Sequence, residues 1–213
     1  MRTLDELLDL ENPALPILEQ WAKDAEVPVE LLPPSPNCDA ALLDLQVTTH
    51  SILGAIVHGT GGILVDRGWL RMLGCGHERL SRTVSTWNEG RSAGFLLVAD
   101  DVVGGFFAIN GGALGDNIGT IYYLAPDTLE WESLGVQHSS FVQWAFTRRV
   151  RDFYNELRWN GWEEDVCSLH GDRCFSFYPF LNTAQGSTRI SSRKPVPVAE
   201  QYALNTEARA PGA

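Results

Sequence analysis

The stretch from residue 95 to 134 constrains the fold most, because apolar and aromatic residues are densest there. It contains four short apolar segments separated by turn-forming residues: FLLVA, VGGFFAI, TIYYL and LEWESL. In the last segment Leu129 and Trp131 alternate with Glu130 and Glu132, which is typical of a strand with one face on a core and one in water. The connections contain Asp-Asp, Asn-Gly-Gly and Ala-Pro-Asp-Thr, all common in turns. We therefore predict a β-meander at the centre of the fold.

Helical patterns lie on both sides of this meander. Thr3 and Glu6 have the spacing of a capping box, and Asn12-Pro13 is typical of a second helix start. Further helices are predicted at residues 38–47, 78–88, 139–145, 153–159 and 162–169, and further strands at 27–32, 63–65 and 69–73. The sequence therefore predicts one α+β domain over residues 1–182, with N-terminal helices, a mostly antiparallel central sheet and C-terminal helices packed on the sheet.

The end of the chain has a different composition. Residues 175–181, FSFYPFL, have strand character, but Pro179 restricts them to the edge of a sheet. From residue 183 onward the chain is rich in serine, arginine, proline and small residues. We expect residues 183–213 to form an irregular, partly disordered tail that is ordered only where it packs on the body.

The net charge of −11 limits the classes of partner. Residues 1–45 alone hold ten acidic side chains against Arg2 and Lys23. A negative field repels phosphate groups, so nucleic acid and anionic membrane are excluded as partners and a basic protein is favoured. The alternative is that the acidic surface serves only to keep the protein in solution.

The N-terminus and the cysteines indicate a compartment. The first residues lack a basic flank followed by an apolar run, so we expect no signal peptide. No stretch approaches the roughly 18 uninterrupted apolar residues of a membrane span. The four cysteines are widely scattered in sequence, and we expect a cytoplasmic protein with reduced thiols.

Acidic and amide residues at the corners of the meander are the first candidate site. Carboxylates at strand ends can bind a cation or act as acid and base, and the neighbouring charges of Asp100 and Asp101 can raise the pKa of one of them. The same residue types are also preferred in turns, because they hydrogen-bond to the local backbone. We favour the turn interpretation for the whole set: Asp100, Asp101, Asn110, Asp116, Asn117 and Asp127.

The loop at residues 110–119 is the second candidate. It opens with Asn110, Gly111 and Gly112, and such glycines allow backbone N–H groups to converge on an anion. It has neither the ending of a phosphate loop nor the spacing of a dinucleotide fingerprint, so a wide turn is the simpler explanation. We nevertheless rank this loop first as a ligand or partner surface, because long irregular loops in compact domains are often functional.

Two sets of cysteine and histidine residues could carry chemistry. Cys167, His170 and Cys174 are three potential zinc ligands, but a fourth would have to come from a distant segment. A helix-to-strand connection explains their spacing equally well. Cys75 and His77 could be a nucleophile and a base, although residues two apart seldom reach that geometry. We therefore expect no metal, no other cofactor and no catalytic set.

Four runs of the chain resemble a bacterial single-domain family of unknown function: GGILVDRGWLRMLGCG, FLLVADDVVGGFFAINGGALG, IYYLAPDTLEW and FVQWAF. The resemblance covers roughly residues 1–180 and implies no established activity. The hairpin with an aspartate in its turn, followed by a helix that contains Ser139, Phe141 and Trp144, resembles the SMI1/KNR4-like immunity-protein superfamily. That second resemblance implies an α+β module that binds other proteins, as many toxin-neutralising members do.

Three functional hypotheses follow. The preferred one is a non-catalytic protein-interaction module with an immunity-like role. Its contact candidates are Asp100, Asp101, Asp116, Glu130 and Glu132. The alternative is a small-molecule-binding protein or hydrolase, in which Asn110 and Asp116 converge with Asp100 or Asp101 in a deep pocket. The third is a homo-oligomer assembled through an exposed edge strand and the tail.

Overall fold

The computed structural model describes residues 1–91 and 93–207. The α-helices of the described residues are α1 Leu4–Leu7, α2 Leu15–Lys23, α3 Cys38–Leu45, α4 Ile52–Gly59, α5 Val84–Asn88, α6 His138–Ala145, α7 Arg149–Phe153, α8 Trp162–Cys167 and α9 Val198–Glu207. Short 3₁₀ turns lie at Asp66–Gly68 and Asn155–Leu157. No helix among these residues is long and apolar enough to cross a bilayer.

Seven strands form one sheet in chain order, and every neighbouring pair is antiparallel. They are β1 Val29–Leu32, β2 Gly62–Val65, β3 Leu70–Leu73, β4 Phe95–Asp101, β5 Phe106–Asn110, β6 Thr120–Leu124 and β7 Trp131–Gln137. A second sheet pairs β8 Arg173–Tyr178 with β9 Ser192–Pro197. The predicted α+β class and the central antiparallel meander are confirmed.

The central strands are apolar in succession because both faces of the sheet are covered. Phe106 and Phe107 are adjacent in β5, fully buried, and lie in two different cores. One core contains residues of α2, α4, α6 and α7, and the other contains residues of α1, α3, α5 and α9. Burying a phenylalanine side chain contributes about 2 kcal/mol, so β5 stabilises both layers at once.

Two element boundaries differ from the sequence prediction. The helix expected at residues 78–88 begins only at Val84, because Thr83 caps it and accepts a hydrogen bond from Thr86 N at 3.0 Å. The strand expected to end before Gly135 continues to Gln137. The pairing of β6 with β7 shifts register there, and Gly135 has φ +67°, so the strand passes this point through a bulge.

The tail prediction is wrong for residues 192–207, which form β9 and α9. Val196, Val198 and Tyr202 are buried in the core that also contains Phe106. The prolines of β9 are tolerated because this strand pairs on one side only, with β8. Residues 208–213, also part of that prediction, lie outside the described residues.

The expectation of four reduced thiols is wrong for Cys38 and Cys75, which form a disulfide. The two residues are 37 apart in sequence, but their Cα atoms lie 4.8 Å apart because the start of α3 meets the end of β3. Cys167 is an exposed free thiol and Cys174 a buried one. The cytoplasmic location stays a prediction.

Candidate functional site

Three buried aspartates lie at one end of the large sheet. Asp66 follows β2, and Asp100 and Asp101 end β4, which pairs with the start of β3. The three residues are at most 1% exposed. A carboxylate taken out of water is costly unless it is paired, so the partners of these groups decide their role.

Asp100 is the centre of a buried ion network. Arg71 donates from Nη2 to Asp100 Oδ1, and Arg82 Nη1 lies 2.6 Å from Asp100 Oδ2. Arg82 Nε also donates to Asp172 Oδ1 at 3.0 Å, and Arg71 Nη1 donates to the carbonyl of Arg173 at 2.7 Å. Burial of the Arg82 guanidinium opposes its charge, but Asp100 and Asp172 outweigh this effect and raise its pKa. Two arginines and two aspartates thus pair with one another and hold β3, β4 and β8 together.

Asp101 accepts four hydrogen bonds from its own chain. Oδ1 accepts from Val103 N at 3.0 Å and Gly105 N at 2.8 Å, and Oδ2 accepts from the hydroxyls of Tyr123 at 2.8 Å and Tyr154 at 3.1 Å. Burial raises the pKa of Asp101, against the opposing effect of the Gly105 and Tyr123 donors. Burial also raises the pKa of both tyrosines well above the usual value. Both carboxylate oxygens accept hydrogen bonds from the same chain, which is typical of a structural carboxylate rather than a reactive one.

Asp66 joins the sheet to the C-terminal helices. Arg151 Nη2 lies 2.7 Å from Asp66 Oδ1, and Arg158 Nη2 lies 2.5 Å from Asp66 Oδ2. The Arg158 guanidinium also lies over the rings of Trp69 and Trp162, at 5.1 and 4.2 Å from their centroids. Asp66 lies between the strands predicted at 63–65 and 69–73, and nothing local in the sequence indicates these arginines 85 and 92 residues away.

These contacts correct the interaction hypothesis in one respect. Asp100 and Asp101 are buried and paired internally, so a partner of the folded protein cannot contact them. The other contact candidates, Asp116, Glu130 and Glu132, are exposed.

The loop at residues 110–119 is organised by one buried amide. Asn110 Nδ2 donates to the carbonyls of Gly115 at 2.7 Å and Asn117 at 3.2 Å, and its Oδ1 accepts from Gly112 N at 2.8 Å and Leu114 N at 3.0 Å. Asn110 is 1% exposed. The other predicted loop residues, Gly111, Gly112, Asp116 and Asn117, are exposed. The loop is therefore a wide turn around the Asn110 side chain, in which the amide of Gly112 already has an internal acceptor.

The deep-pocket hypothesis fails on the register of the sheet. Asn110 pairs with Phe95 at one end of β4, whereas Asp100 pairs with Phe106 at the other end. At about 3.3 Å per residue, five residues of strand separate the two sites by roughly 16 Å. Asn110 and Asp116 therefore do not converge with Asp100 or Asp101.

The potential zinc ligands do not form a cluster. Cys167 is exposed at the end of α8, whereas Cys174 is buried in β8, where burial raises its pKa to about 12. A ring nitrogen of His170, Nε2, lies 2.8 Å from the carbonyl of Glu78. Within residues 1–91 and 93–207, no group of three or more His, Cys, Asp or Glu side chains could hold a metal ion. Cys75 is bonded to Cys38, so it is not a free nucleophile for His77 to activate.

Exposed carboxylates lie around β6 and β7, two in the turn that joins these strands, one at the start of β7 and one in the loop before β6. Residues 92–147 contain no lysine or arginine. Burial lowers the pKa of His138, the histidine of this stretch, to about 4, so it is neutral at pH 7. Four exposed acids, which we term the acidic face, belong to this stretch: Asp116, Asp127, Glu130 and Glu132. Among the described residues, none of the four has an ion-pair partner.

A groove runs beside the edge strand β7. It has a volume of about 450 Å³ and is lined by five apolar and four polar residues of β7, α6, α7 and the segment between the two helices. We term it the β7 groove. Its apolar walls are Leu134, Val136, Phe141, Trp144 and Phe153. Phe153 is 38% exposed, and α6 follows β7 without an intervening loop. An apolar groove beside a free strand edge is a recurrent site for an extended peptide.

The family model "Protein of unknown function DUF2625" matches residues 4–201. This chain belongs to the DUF2625 family. It is 44% identical over 208 residues to "Putative uncharacterized protein YbfG" of Escherichia coli K12, with 96% of this chain and 95% of that protein covered. It is 40% identical over 190 residues to an "Uncharacterized protein" of Haemophilus influenzae, with 85% and 83% covered. No solved structure matches.

The predicted bacterial family of unknown function is thus confirmed for this DUF2625 chain. The matches do not show the SMI1/KNR4-like resemblance. The sequence alone does not indicate the β7 groove, because its walls come from a strand and two helices that meet only in the fold. The sequence does show that no basic residue lies between Arg91 and Arg148, and this absence indicates the acidic face.

Proposed function

We propose that this DUF2625 protein is a non-catalytic protein-binding module with a basic partner. The observation that carries the proposal is the acidic face, four exposed carboxylates in a stretch without a lysine or arginine. Some other surface acids, such as Glu30 and Glu156, pair with arginines of the same chain. Exposed N-terminal acids without an ion pair among the described residues, such as Glu11, lie in a stretch that also contains Arg2 and Lys23. Carboxylates without such partners are available to the cations of another protein.

The buried aspartates support the non-catalytic part of the proposal. A catalytic acid or base has to reach its substrate within hydrogen-bond distance. Asp66, Asp100 and Asp101 are enclosed and already hydrogen-bonded to arginine, tyrosine or backbone groups. Asp66 and Asp101 hold the sheet to α7 and the residue that follows it. Asp100 holds β4 to Arg71 of β3 and to Arg82.

The acidic face sets the rate and selectivity of binding more than its strength. An exposed ion pair contributes about 0.2–1 kcal/mol, and salt weakens it. Clustered charge of one sign accelerates the encounter with a partner of opposite sign and disfavours acidic competitors. Neutralisation of a toxin is the specific form that the SMI1/KNR4-like resemblance implies, and it requires a basic surface on the toxin.

Charge reversal of the acidic face tests this function. We compare Asp127→Lys/Glu130→Lys/Glu132→Lys with Glu11→Lys/Glu19→Lys/Asp44→Lys, which changes the net charge equally at exposed N-terminal acids. Proteins cross-linked to the wild type in the source cell are identified, purified and titrated against all three proteins at two salt concentrations. We expect the first variant to bind about tenfold more weakly at low salt and the second to bind like the wild type. Equal affinities for the two triple variants would contradict the proposal.

A further inference from the structure

The two edges of the large sheet differ in how well they are protected. β1 has four residues, lies between Pro28 and Pro33, and carries Glu30, whose carboxylate pairs with Arg79. Short length, proline and charge are the usual devices that stop another strand from pairing. β7 has seven residues and pairs with β6 alone among the described strands. Its length is at most about 23 Å at 3.3 Å per residue, and the bulge at Gly135 is a further such device within it, so a partner strand would have to follow the bulge.

The chemistry along β7 changes from its ends to its middle. Glu130 and Glu132 lie at its start, and Asp116 belongs to the loop before Thr120, which pairs with Gln137 at the strand's other end. The residues between, from 133 to 137, carry no charge. A strand that added to β7 would therefore meet Glu130 and Glu132 at one end, uncharged residues along the rest, and at the other end the side of the sheet where the loop carrying Asp116 lies.

The β7 groove would receive side chains from such a strand. Alternate residues of a strand point to the same face, so every second side chain could enter the groove beside Leu134 and Val136. Arg149 also lines the groove, so a basic residue at the middle of the added strand is disfavoured. The middle of the segment has to be apolar on one face.

From these observations we propose that the partner supplies an extended segment that pairs with β7 as an eighth strand. Its apolar residues fill the β7 groove, and lysine or arginine residues flank them at both ends. This inference rests on the proposed function and specifies how the basic partner binds. A second copy of this chain is a poorer occupant, because each copy carries a net charge of −11 and pairing would bring the two acidic faces together.

A synthetic segment tests the inference without knowledge of the natural partner. The probe is the fluorescent peptide KRVTVTVRK with blocked ends, titrated against the full chain by anisotropy, with amide hydrogen exchange measured on the complex. We expect one-to-one binding and slower exchange in β7. N-methylation of alternate amides keeps charge and apolarity but removes main-chain donors, and should weaken binding about tenfold. Equal binding of the N-methylated peptide would overturn strand addition.

Two variants separate the groove from the charge. Trp144→Ala should weaken binding of the probe about fivefold, whereas Ile17→Ala, which truncates an exposed apolar residue elsewhere, should have no effect. A matched peptide with glutamate at both ends should not bind. Thermal unfolding of each variant checks that the fold is retained.

The possible results distinguish this inference from the function on which it rests. If charge reversal abolishes binding of the natural partner while the probe leaves amide exchange in β7 unchanged, the proposal of an eighth strand is overturned. This result would still support a basic partner. Equal natural-partner binding by both triple variants would overturn the function itself. If the free chain sediments as a dimer and its β7 amides exchange slowly, the strand edge is occupied by a second copy. That result would overturn the proposed occupant.

Discussion

The acidic side chains at two parts of the sheet differ in burial and in pairing. At the ends of β2 and β4, Asp66, Asp100 and Asp101 are buried and paired with arginine or tyrosine of the same chain. Around β6 and β7, acids such as Glu130 and Glu132 are exposed and have no ion-pair partner among the described residues. Both sets carry carboxylates, and they differ in whether the same chain supplies ion-pair or hydroxyl partners. We expect a partner protein to bind where the chain supplies no internal partner for its carboxylates.

The largest expected effect is that of removing Asp100. Asp100→Ala leaves the buried Arg71 without its carboxylate partner and Arg82 with Asp172 alone, which costs about 3–5 kcal/mol of unfolding free energy. Urea unfolding followed by circular dichroism measures this loss. Glu130→Ala is the matched control from the exposed set, and we expect it to change stability by less than about 0.5 kcal/mol. Similar losses in both variants would remove the distinction between the two regions.

The pH dependence of stability should differ between the buried carboxyl of Asp101 and the partly exposed carboxyl of Asp172. The pKa of Asp101 is raised from 3.8, so this group stabilises the fold below 3.8 and that contribution is lost as pH rises through its folded pKa. The pKa of Asp172 is lowered from 3.8, against the opposing effect of burial, by Ser81 and Arg82. Its contribution is therefore present above 3.8 and lost as pH falls through its folded pKa.

Urea unfolding between pH 2.5 and 6 tests these opposite signs. Asp172→Asn should reduce the acid-induced loss of stability, and Asp101→Asn should remove a loss that occurs on going from acidic to neutral pH. The pH profile of each variant is compared with that of the wild type, so the constant cost of each substitution cancels. Profiles parallel to the wild type would contradict the assigned directions of the pKa shifts.

The meander was predictable because its signals are local. Alternating residues in 129–134 and the turn-forming residues between strands indicated the sheet, and the chemistry of Asn110 indicated its own turn. The partners of the buried acids were not predictable, because Tyr154 is 53 residues from Asp101 and Arg158 is 92 residues from Asp66. Likewise, β9 and α9 are ordered by distant core residues that their own composition does not indicate.

A smaller effect is expected from Tyr154→Phe. The substitution removes one of the two phenolic donors to Asp101 Oδ2 and leaves Tyr123, Val103 and Gly105 in place. A lost hydrogen bond to a charged group costs about 1.5–3 kcal/mol, and we expect the lower end because three donors remain. Thermal and urea unfolding measure the change. Tyr178→Phe, at an exposed tyrosine of β8, is the control and should be neutral.

The smallest effect on stability is expected for charge reversal of the acidic face, the change that should weaken partner binding most. Asp127→Lys/Glu130→Lys/Glu132→Lys replaces exposed acids without ion-pair partners, so each change should alter the unfolding free energy by less than about 0.5 kcal/mol. At low salt the variant should be slightly more stable than the wild type, because it relieves repulsion in a chain of net charge −11, and the difference should vanish at high salt. Urea unfolding at two salt concentrations measures both quantities. A large loss of stability would mean that these carboxylates have structural partners within the fold, and the acidic face would then belong with the buried aspartates rather than with a binding surface.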